Sequence, residues 1–195
     1  MAEIITVEEH IAEHYPNDQE FTDLLLKSYV RKEFKKNDLI LRHGEIADKL
    51  FYLEKGAVVQ KYVEVEEDID RATSFNFEGE FFSAFESFEA LTPSEYYLQC
   101  LEDCTICIWY REAYENVLSK GLRVHEIRHN YMVDMFVEQF KMATKLVAYP
   151  SDKMYEYIVN ECPKIIQRVP LKYIAEFMGI SNEHLSRLRK KMANK

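Results

Sequence analysis

The stretch from Leu171 to Lys191 constrains the fold of this chain more than any other part of the sequence. A small residue, Ala175, is followed by Gly179 and then by the apolar Leu185 and Leu188. A small residue lets a second helix cross closely, and a glycine readily adopts the left-handed conformation of a tight turn. The spacing therefore predicts two short helices that cross at a sharp angle, with Ile174, Ala175 and Met178 on the inner face of the first.

The second of these helices is predicted to begin after Ser181, whose hydroxyl can cap its first turn. Its outward face carries side chains that can hydrogen-bond base edges or phosphates, including His184 and Lys191. This pattern predicts a DNA-reading helix-turn-helix in which Arg187 pairs with guanine and Glu183 accepts from a cytosine amino group. The predicted DNA-binding residues are Lys172, Ser181, Asn182, Glu183, Ser186, Arg187, Arg189 and Lys190.

The distribution of charge agrees with this interpretation, although the whole chain has a net charge of −9. Residues 150–195 carry nine Lys and Arg against five Asp and Glu, so the acidic excess lies in residues 1–149. Such asymmetry predicts that only the C-terminal part contacts a polyanion. The opening MAEIITVEEH lacks a signal-peptide pattern and no apolar run reaches membrane length, so we expect a cytoplasmic protein without a membrane partner.

The segment from Val30 to Tyr110 is typical of strands, because short runs of β-branched and aromatic residues alternate with turn signals. It predicts a small β-sandwich or barrel, interrupted by a short helix over Phe81–Leu91. The cysteines of this segment do not have a standard zinc spacing, and Cys104 and Cys107 fall on opposite faces of one strand. We interpret all four cysteines, including Cys162, as buried reduced thiols.

Helices are predicted on both sides of the β segment. Residues 1–29 are predicted to be helical, with a capping box at Asn17 and Glu20. Pro150 ends a helix predicted over Leu122–Ala148, and Ser151 is predicted to cap the next one. The long helix carries an apolar stripe that predicts dimerisation with a second copy, unless the stripe packs on its own chain. The stripe consists of Met132, Phe136, Phe140, Ala143 and Val147.

The chain resembles the Crp/Fnr superfamily of transcription regulators across nearly its whole length. The resemblance rests on the turns at Gly44 and Gly56, on GEFFSAFESF (residues 79–88) and on RVPLKYIAEFMGISNEHLSRLRKK (residues 168–191). It implies an α+β chain with a jelly-roll cyclic-nucleotide-binding-like sensor domain at 1–110, a helical connector with the dimerisation helix at 111–149 and an all-α helix-turn-helix domain at 150–195. It also implies base contacts by Glu183, Ser186 and Arg187, a homodimer on a pseudo-palindromic site, and RNA polymerase as a further partner.

Two departures from the family pattern matter. The family's cyclic-nucleotide binders hold the phosphate with an arginine, but no Lys or Arg lies between Arg71 and Arg111 here. We therefore expect no tight binding of cyclic AMP or cyclic GMP. An unknown, more apolar effector is expected instead, or a pocket filled with side chains, around Gly79, Glu80, Phe81, Phe82 and Phe85. The winged hairpin that often follows the recognition helix is also missing from this sequence.

Other classes of function stay open at this point. One is a ligand- or protein-binding signalling module whose C-terminal helices contact a protein. Another is a haem-based sensor that uses a histidine of the pairs His10/His14 or His125/His129, although solvated faces explain those pairs better. We find no phosphate-binding glycine loop, nucleophile elbow or zinc signature, so we predict neither catalysis nor a cofactor.

Overall fold

The computed structural model describes residues 4–14 and 19–193. It divides into two compact units. The β unit comprises Met1–Asp70 and Ser74–His125, and the helical unit comprises Glu126–Lys195 together with Arg71–Thr73. The predicted connector at 111–149 is thus shared between the two units. No helix of the described residues is long and apolar enough to cross a membrane.

Strands of the β unit form two four-stranded antiparallel sheets within the described residues, which confirms the predicted jelly-roll fold class. The first sheet has the order β1-β8-β3-β6 and the second the order β2-β7-β4-β5. The strands are β1 (Val30–Phe34), β2 (Leu39–Leu41), β3 (Lys49–Lys55), β4 (Val58–Glu64), β5 (Ile69–Asn76), β6 (Phe81–Phe82), β7 (Tyr96–Cys100) and β8 (Cys104–Tyr110).

Side chains along β3 and β8 point alternately to the two faces of the first sheet, and both faces are buried. Phe51 pairs with Ile108 and points to one face, whereas Tyr52 pairs with Cys107 and points to the other. Both aromatic side chains are almost fully buried. Short helices cover the face that carries Tyr52: α1 (Val7–His14) contacts it through His10, and α2 (Gln19–Lys27) accepts a hydrogen bond from the Trp109 indole at Leu25 O.

The turn between β3 and β4 requires a glycine. Gly56 has a φ of +107°, which L side chains rarely adopt, and a Cβ there would lie 2.5 Å from Cys104 Sγ. Cys104 and Cys107 pair with different partners on opposite faces of β8 as predicted, and Cys100, Cys104 and Cys107 are buried free thiols. Cys162 is only partly buried, so the prediction is less accurate there.

Two helices continue the β unit, and one of them differs from its prediction. Helix α3 spans Phe85–Ala90 and not Phe81–Leu91, because Phe81 and Phe82 pair with Tyr52 and Phe51 as strand β6. Helix α4 spans Arg111–Leu118 and is followed by Gly121 at a φ of +129°. The N-terminal prediction is refined to α1 and α2, and its cap at Asn17 lies outside the described residues.

The helical unit is built on α5, which spans Leu122–Ala148 as predicted. It continues through α6 (Ser151–Glu161), α7 (Pro163–Arg168), α8 (Leu171–Phe177) and α9 (Asn182–Ala193). Its core contains Ile158, Ile174 and Leu185, each at most 1% exposed. The N-cap of α6 is Pro150 and not Ser151, and no side chain caps this helix.

Candidate nucleic-acid interface and effector region

The turn between α8 and α9 has the hydrogen bonds that the glycine at position 179 was expected to allow. Gly179 has a φ of +65°. The Ile180 amide donates to Ala175 O at 3.0 Å and the Gly179 amide donates to Glu176 O at 3.1 Å. These two bonds are a Schellman motif, which ends α8 and reverses the chain within a few residues. Met178 was predicted to lie on the inner face of α8 but is only half-buried. Phe177, one residue earlier in the helix, is buried in its place.

Helix α9 begins at a serine cap. Ser181 Oγ accepts a hydrogen bond from the His184 amide at 3.2 Å, as predicted. The Ser181 hydroxyl also bonds the carboxylate of Glu183. The amide of Glu183 itself, this hydroxyl and the positive charge of Arg187 together lower the pKa of Glu183. Glu183 is therefore an ionised, oriented acceptor one helical turn from an exposed guanidinium.

The outer face of α9 is strongly polar. The side chains of Leu185 and Leu188 are buried beneath it. Its exposed residues are Asn182, Glu183, Ser186, Arg187, Arg189, Lys190 and Lys191. Lys172 on α8 is also exposed, at 67% of its side chain, and forms an ion pair with Glu176 at 3.7 Å. The Glu176 side chain is only 16% exposed, whereas the Lys172 ammonium lies at the surface, where it can also contact a phosphate.

One predicted member of this face is positioned differently. His184 is half-buried, and its Nε2 lies 3.3 Å from Ser151 Oγ at the start of α6. It follows Glu183 directly and points toward α6 because successive helical residues are rotated by about 100°. His184 therefore connects α9 to α6 and does not point outward.

The stripe of α5 differs from an ordinary helix face because large apolar side chains lie in solvent. Phe136 is 65% exposed, Phe140 64% and Val147 90%. The rings of Phe136 and Phe140 stack on each other with centroids 5.9 Å apart. Ala143 is exposed and Met132 is half-buried. Exposed large apolar residues in one row are typical of an interface with another protein surface.

The predicted effector residues do not converge on one cavity. Phe81 lies against Tyr52, His10 and Trp109 under α1, at centroid distances of 4.8, 5.7 and 5.6 Å. Phe82 points to the opposite face and stacks on Phe51 at 5.3 Å. Adjacent strand residues point to opposite faces, so a pocket that includes both Phe81 and Phe82 side chains is ruled out.

The remaining three residues of that set lie at the ends of β6. Gly79 has a φ of +92°, and its amide donates to Leu53 O at 2.9 Å. The Glu80 carboxylate accepts from the Phe77 amide at 3.2 Å. Phe85 is half-buried and contacts the edge of Phe88 at 6.5 Å. These residues hold the turn before β6 and the start of α3 in place.

The polar groups between β6 and β7 are bonded to one another. Ser87 Oγ donates to Thr92 O and accepts from the Ala47 amide. Ser94 Oγ lies 3.1 Å from a Glu86 carboxylate oxygen and accepts from the Tyr96 amide. A carboxylate thus lies against the hydroxyl of Ser94, and a phosphate placed beside it would be repelled.

One of the four paired histidines, His10, is positioned differently from its prediction. His10 is half-buried rather than solvated, because it lies one helical turn from the fully buried Val7 and faces Tyr52 and Phe81. Burial, with a smaller effect of His14, lowers the pKa of His10 to about 4. The ring of His14 stacks on His10 at 4.2 Å and its Nδ1 lies 2.8 Å from His10 O. His125 and His129 are exposed.

A node of charges beneath α1 was not anticipated from the sequence. The Glu54 carboxylate is almost fully buried and receives Arg31 Nε at 2.7 Å, Arg31 Nη2 at 2.8 Å and the Val7 amide at 3.0 Å. Arg31 Nη2 also lies 3.0 Å from both carboxylate oxygens of Glu8.

Comparison with known proteins agrees with this architecture. Residues 31–120 match the cyclic nucleotide-binding domain family. No curated protein matches the chain in sequence. The structure is similar to that of the c-di-GMP-responsive global regulator CLP of Xanthomonas campestris, with a TM-score of 0.67, 18% identity and coverage of 91% of this chain and 92% of that one.

Two further solved structures are similar. FixK2 from Bradyrhizobium japonicum gives a TM-score of 0.69 at 14% identity, covering 85% of each chain. A transcriptional regulator of the Crp/Fnr family from Eubacterium rectale gives 0.67 at 14% identity, covering 89% of this chain and 82% of that one. At these identities the likeness concerns the fold, and it confirms the resemblance stated from the sequence. Residues 31–120 are therefore similar to the cyclic nucleotide-binding domain family, and the chain has the fold seen in Crp/Fnr transcription regulators.

Proposed function

We propose that this protein is a homodimeric, sequence-specific DNA-binding transcription regulator without catalytic activity. The observation that carries the proposal is the exposed face of α9, where four cations and one oriented carboxylate lie on a helix that begins at a serine cap. Base edges are read by such side chains, and the first residues of a recognition helix enter the major groove. Arg187 and Glu183 occupy those first turns, and Arg189 and Lys190 are suited to phosphate contacts.

A second copy of the chain is the proposed occupant of the α5 stripe. The stripe would pair with the same stripe of the partner, because a two-fold interface uses one surface twice. A dimer presents two copies of α9, and these fit half-sites about one helical turn, roughly 34 Å, apart.

A gel-shift with random genomic fragments tests the proposal. The wild-type protein at low salt should retain DNA, and selection from the bound pool should yield one pseudo-palindromic sequence. A protein that retains no DNA at low salt would favour the alternative in which these helices contact another protein.

The proposal includes a β domain that does not recognise cyclic nucleotides. The acidic, internally bonded segment around Ser87 and Ser94 supports this, as does the lack of any Lys or Arg between Arg71 and Arg111. Isothermal titration with cyclic AMP and cyclic GMP should show no binding at micromolar concentrations. Micromolar affinity for either nucleotide would contradict this part of the proposal.

Contact with RNA polymerase and binding of an effector of another kind stay predictions.

A further inference from the structure

The connection between α5 and α6 consists of two residues, Tyr149 and Pro150. The Tyr149 amide donates to Lys145 O at 2.9 Å and completes α5, and Pro150 O accepts from the Met154 amide at 2.9 Å and starts α6. Pro150 is extended at a ψ of 153° and has no amide hydrogen to donate. No backbone hydrogen bond of α5 can therefore continue through Pro150, so contacts between side chains of the two helices can contribute to the angle between them.

Four side chains meet across this connection. Lys145 Nζ of α5 lies 4.9 Å from the centre of the Tyr157 ring of α6. In return, Lys153 Nζ of α6 lies 4.2 Å from the centre of the Tyr149 ring. The two rings meet edge to face at 6.4 Å and 76°. Each side of the connection thus supplies one cation and one ring, and each cation binds the ring from the other side.

We propose that these four residues, the Lys–Tyr clasp, fix the angle between the dimer helix and the DNA-binding helices. They would act as positioning residues that set the spacing of the two recognition helices. This inference rests on the proposed function for its effect on DNA, but the angle itself does not depend on DNA.

The clasp is placed so that it can act while α5 pairs with a second copy. Lys145 belongs to a half-buried row of α5 that includes Met142 and Leu146, and Tyr149 continues this row just beyond the end of the helix. At about 100° per residue this row lies on the side of the helix opposite Phe140 and Val147. Dimerisation through the exposed stripe therefore leaves the clasp intact.

The rings are suited to hold cations. Burial, followed by the nearby Cys162 and Glu161, raises the pKa of Tyr157, so the phenol stays neutral and keeps its hydroxyl proton. The two lysines contact the faces of the tyrosine rings. In the described part of the chain, no hydrogen bond of the Tyr149 or Tyr157 hydroxyl is required for these contacts. Phenylalanine should therefore replace both tyrosines without loss, whereas leucine should not.

The first experiment varies the spacing of the two half-sites in the selected DNA. The proteins compared are the wild type, the Tyr149→Phe/Tyr157→Phe variant and the Tyr149→Leu/Tyr157→Leu variant. The wild type and the Phe variant should lose about tenfold in affinity when the spacing changes by about two base pairs, and the Leu variant less than about threefold. An unchanged spacing profile in the Leu variant would overturn the proposal.

The second experiment measures the angle without DNA. Spin labels at Gln139→Cys and Asn160→Cys, in a Cys162→Ser background diluted with unlabelled protein, report one intrachain distance. The clasp predicts one narrow distribution for the wild type and the Phe variant and a broad one for the Leu variant. A narrow distribution in all three would refute the clasp even if DNA binds. Absence of DNA binding by the wild type would instead refute the proposed function alone.

A second variant pair covers the case in which the Leu variant does not fold. Lys145→Met/Lys153→Met keeps the aliphatic stems but removes both cations, and Lys145→Arg/Lys153→Arg keeps the charge and the ring contacts. The Met pair should broaden the distance distribution, and the Arg pair should restore it. Equal distributions in the two pairs would contradict a role for the cations.

Discussion

In the β unit the Glu54 carboxylate is buried and bonded to Arg31 and to the backbone of α1, whereas in the helical unit Arg187 and Lys190 extend into solvent. The same contrast holds for aromatic residues. Phe51 and Phe82 stack inside the β unit, and Phe136 and Phe140 stack on an exposed helix face. The β unit uses its polar and aromatic groups to hold itself together, and the helical unit presents the same chemistry to solvent. Substitutions should therefore cost stability in the first unit and binding in the second.

The largest effect is expected at the α5 stripe. Phe136→Ala/Phe140→Ala removes four rings from the proposed dimer, which should weaken association by about 4–6 kcal/mol, allowing for the part of each ring already buried. Analytical ultracentrifugation would show a monomer at micromolar concentration. Val65→Ala is the matched control, because Val65 is 71% exposed on the β unit and should leave the dimer unchanged. A dimer of unaltered affinity in the double variant would show that the stripe is not the interface.

A smaller loss is expected from the buried charge node, and here the quantity lost is stability. Glu54→Ala leaves the Val7 amide without this carboxylate acceptor and leaves Arg31 with Glu8 as its carboxylate partner, which should cost about 2–3 kcal/mol of unfolding free energy. Urea denaturation measures this. Glu33→Ala on the exposed β1 strand is the control and should change stability by less than about 0.5 kcal/mol. Equal losses in both variants would remove the distinction between the node and an ordinary surface charge.

The α5 stripe and the charge node differ in how well the sequence predicts them. The stripe of α5 and the turn at Gly179 could be predicted because helical periodicity and glycine chemistry act within a few residues. The node of Glu54, Arg31 and Val7 could not, since its members are 23 and 47 residues apart in the chain. The placement of Phe81 and Phe82 on opposite faces could not be predicted for a related reason, because the pairing of β6 with β3 fixes which face each ring takes.

The residues predicted to bind DNA lie between these extremes. The serine cap and the exposed face of α9 follow from local spacing, and both are present. The inward turn of His184 depends on Ser151, which lies 33 residues earlier, and this contact had no local signal. The clasp was equally hidden, because Lys145 and Tyr157 approach only once Pro150 has redirected the chain.

A loss of binding without a loss of stability is expected at Arg187. Arg187→Ala should weaken binding to the selected DNA by about 2 kcal/mol, or roughly 30-fold, and relax specificity at one base pair. Fluorescence anisotropy with the cognate and mismatched duplexes measures both effects. Lys120→Ala removes one exposed cation from the β unit and should change affinity less than about twofold. If both variants lose the same affinity for both duplexes, Arg187 contributes only charge.

The smallest effect concerns pH and the β unit alone. Because burial lowers the pKa of His10 to about 4, the unfolded chain binds a proton at higher pH than the folded one. Stability should be complete above the unfolded pKa of about 6.5 and should fall as the pH drops toward 4. The loss at pH 5 should be about 1 kcal/mol, reduced by the partial exposure of the ring. His10→Phe should abolish this part of the pH dependence in urea denaturation, whereas an unchanged slope would rule out His10 as its source.

The footprint of the protein on its selected DNA tests the account most directly. Hydroxyl-radical cleavage in the absence of any cyclic nucleotide should show two protected segments about one helical turn, roughly 34 Å, apart. Phe136→Ala/Phe140→Ala should lose both segments at the same protein concentration. A single protected segment, or protection that requires cyclic AMP or cyclic GMP, would contradict the account.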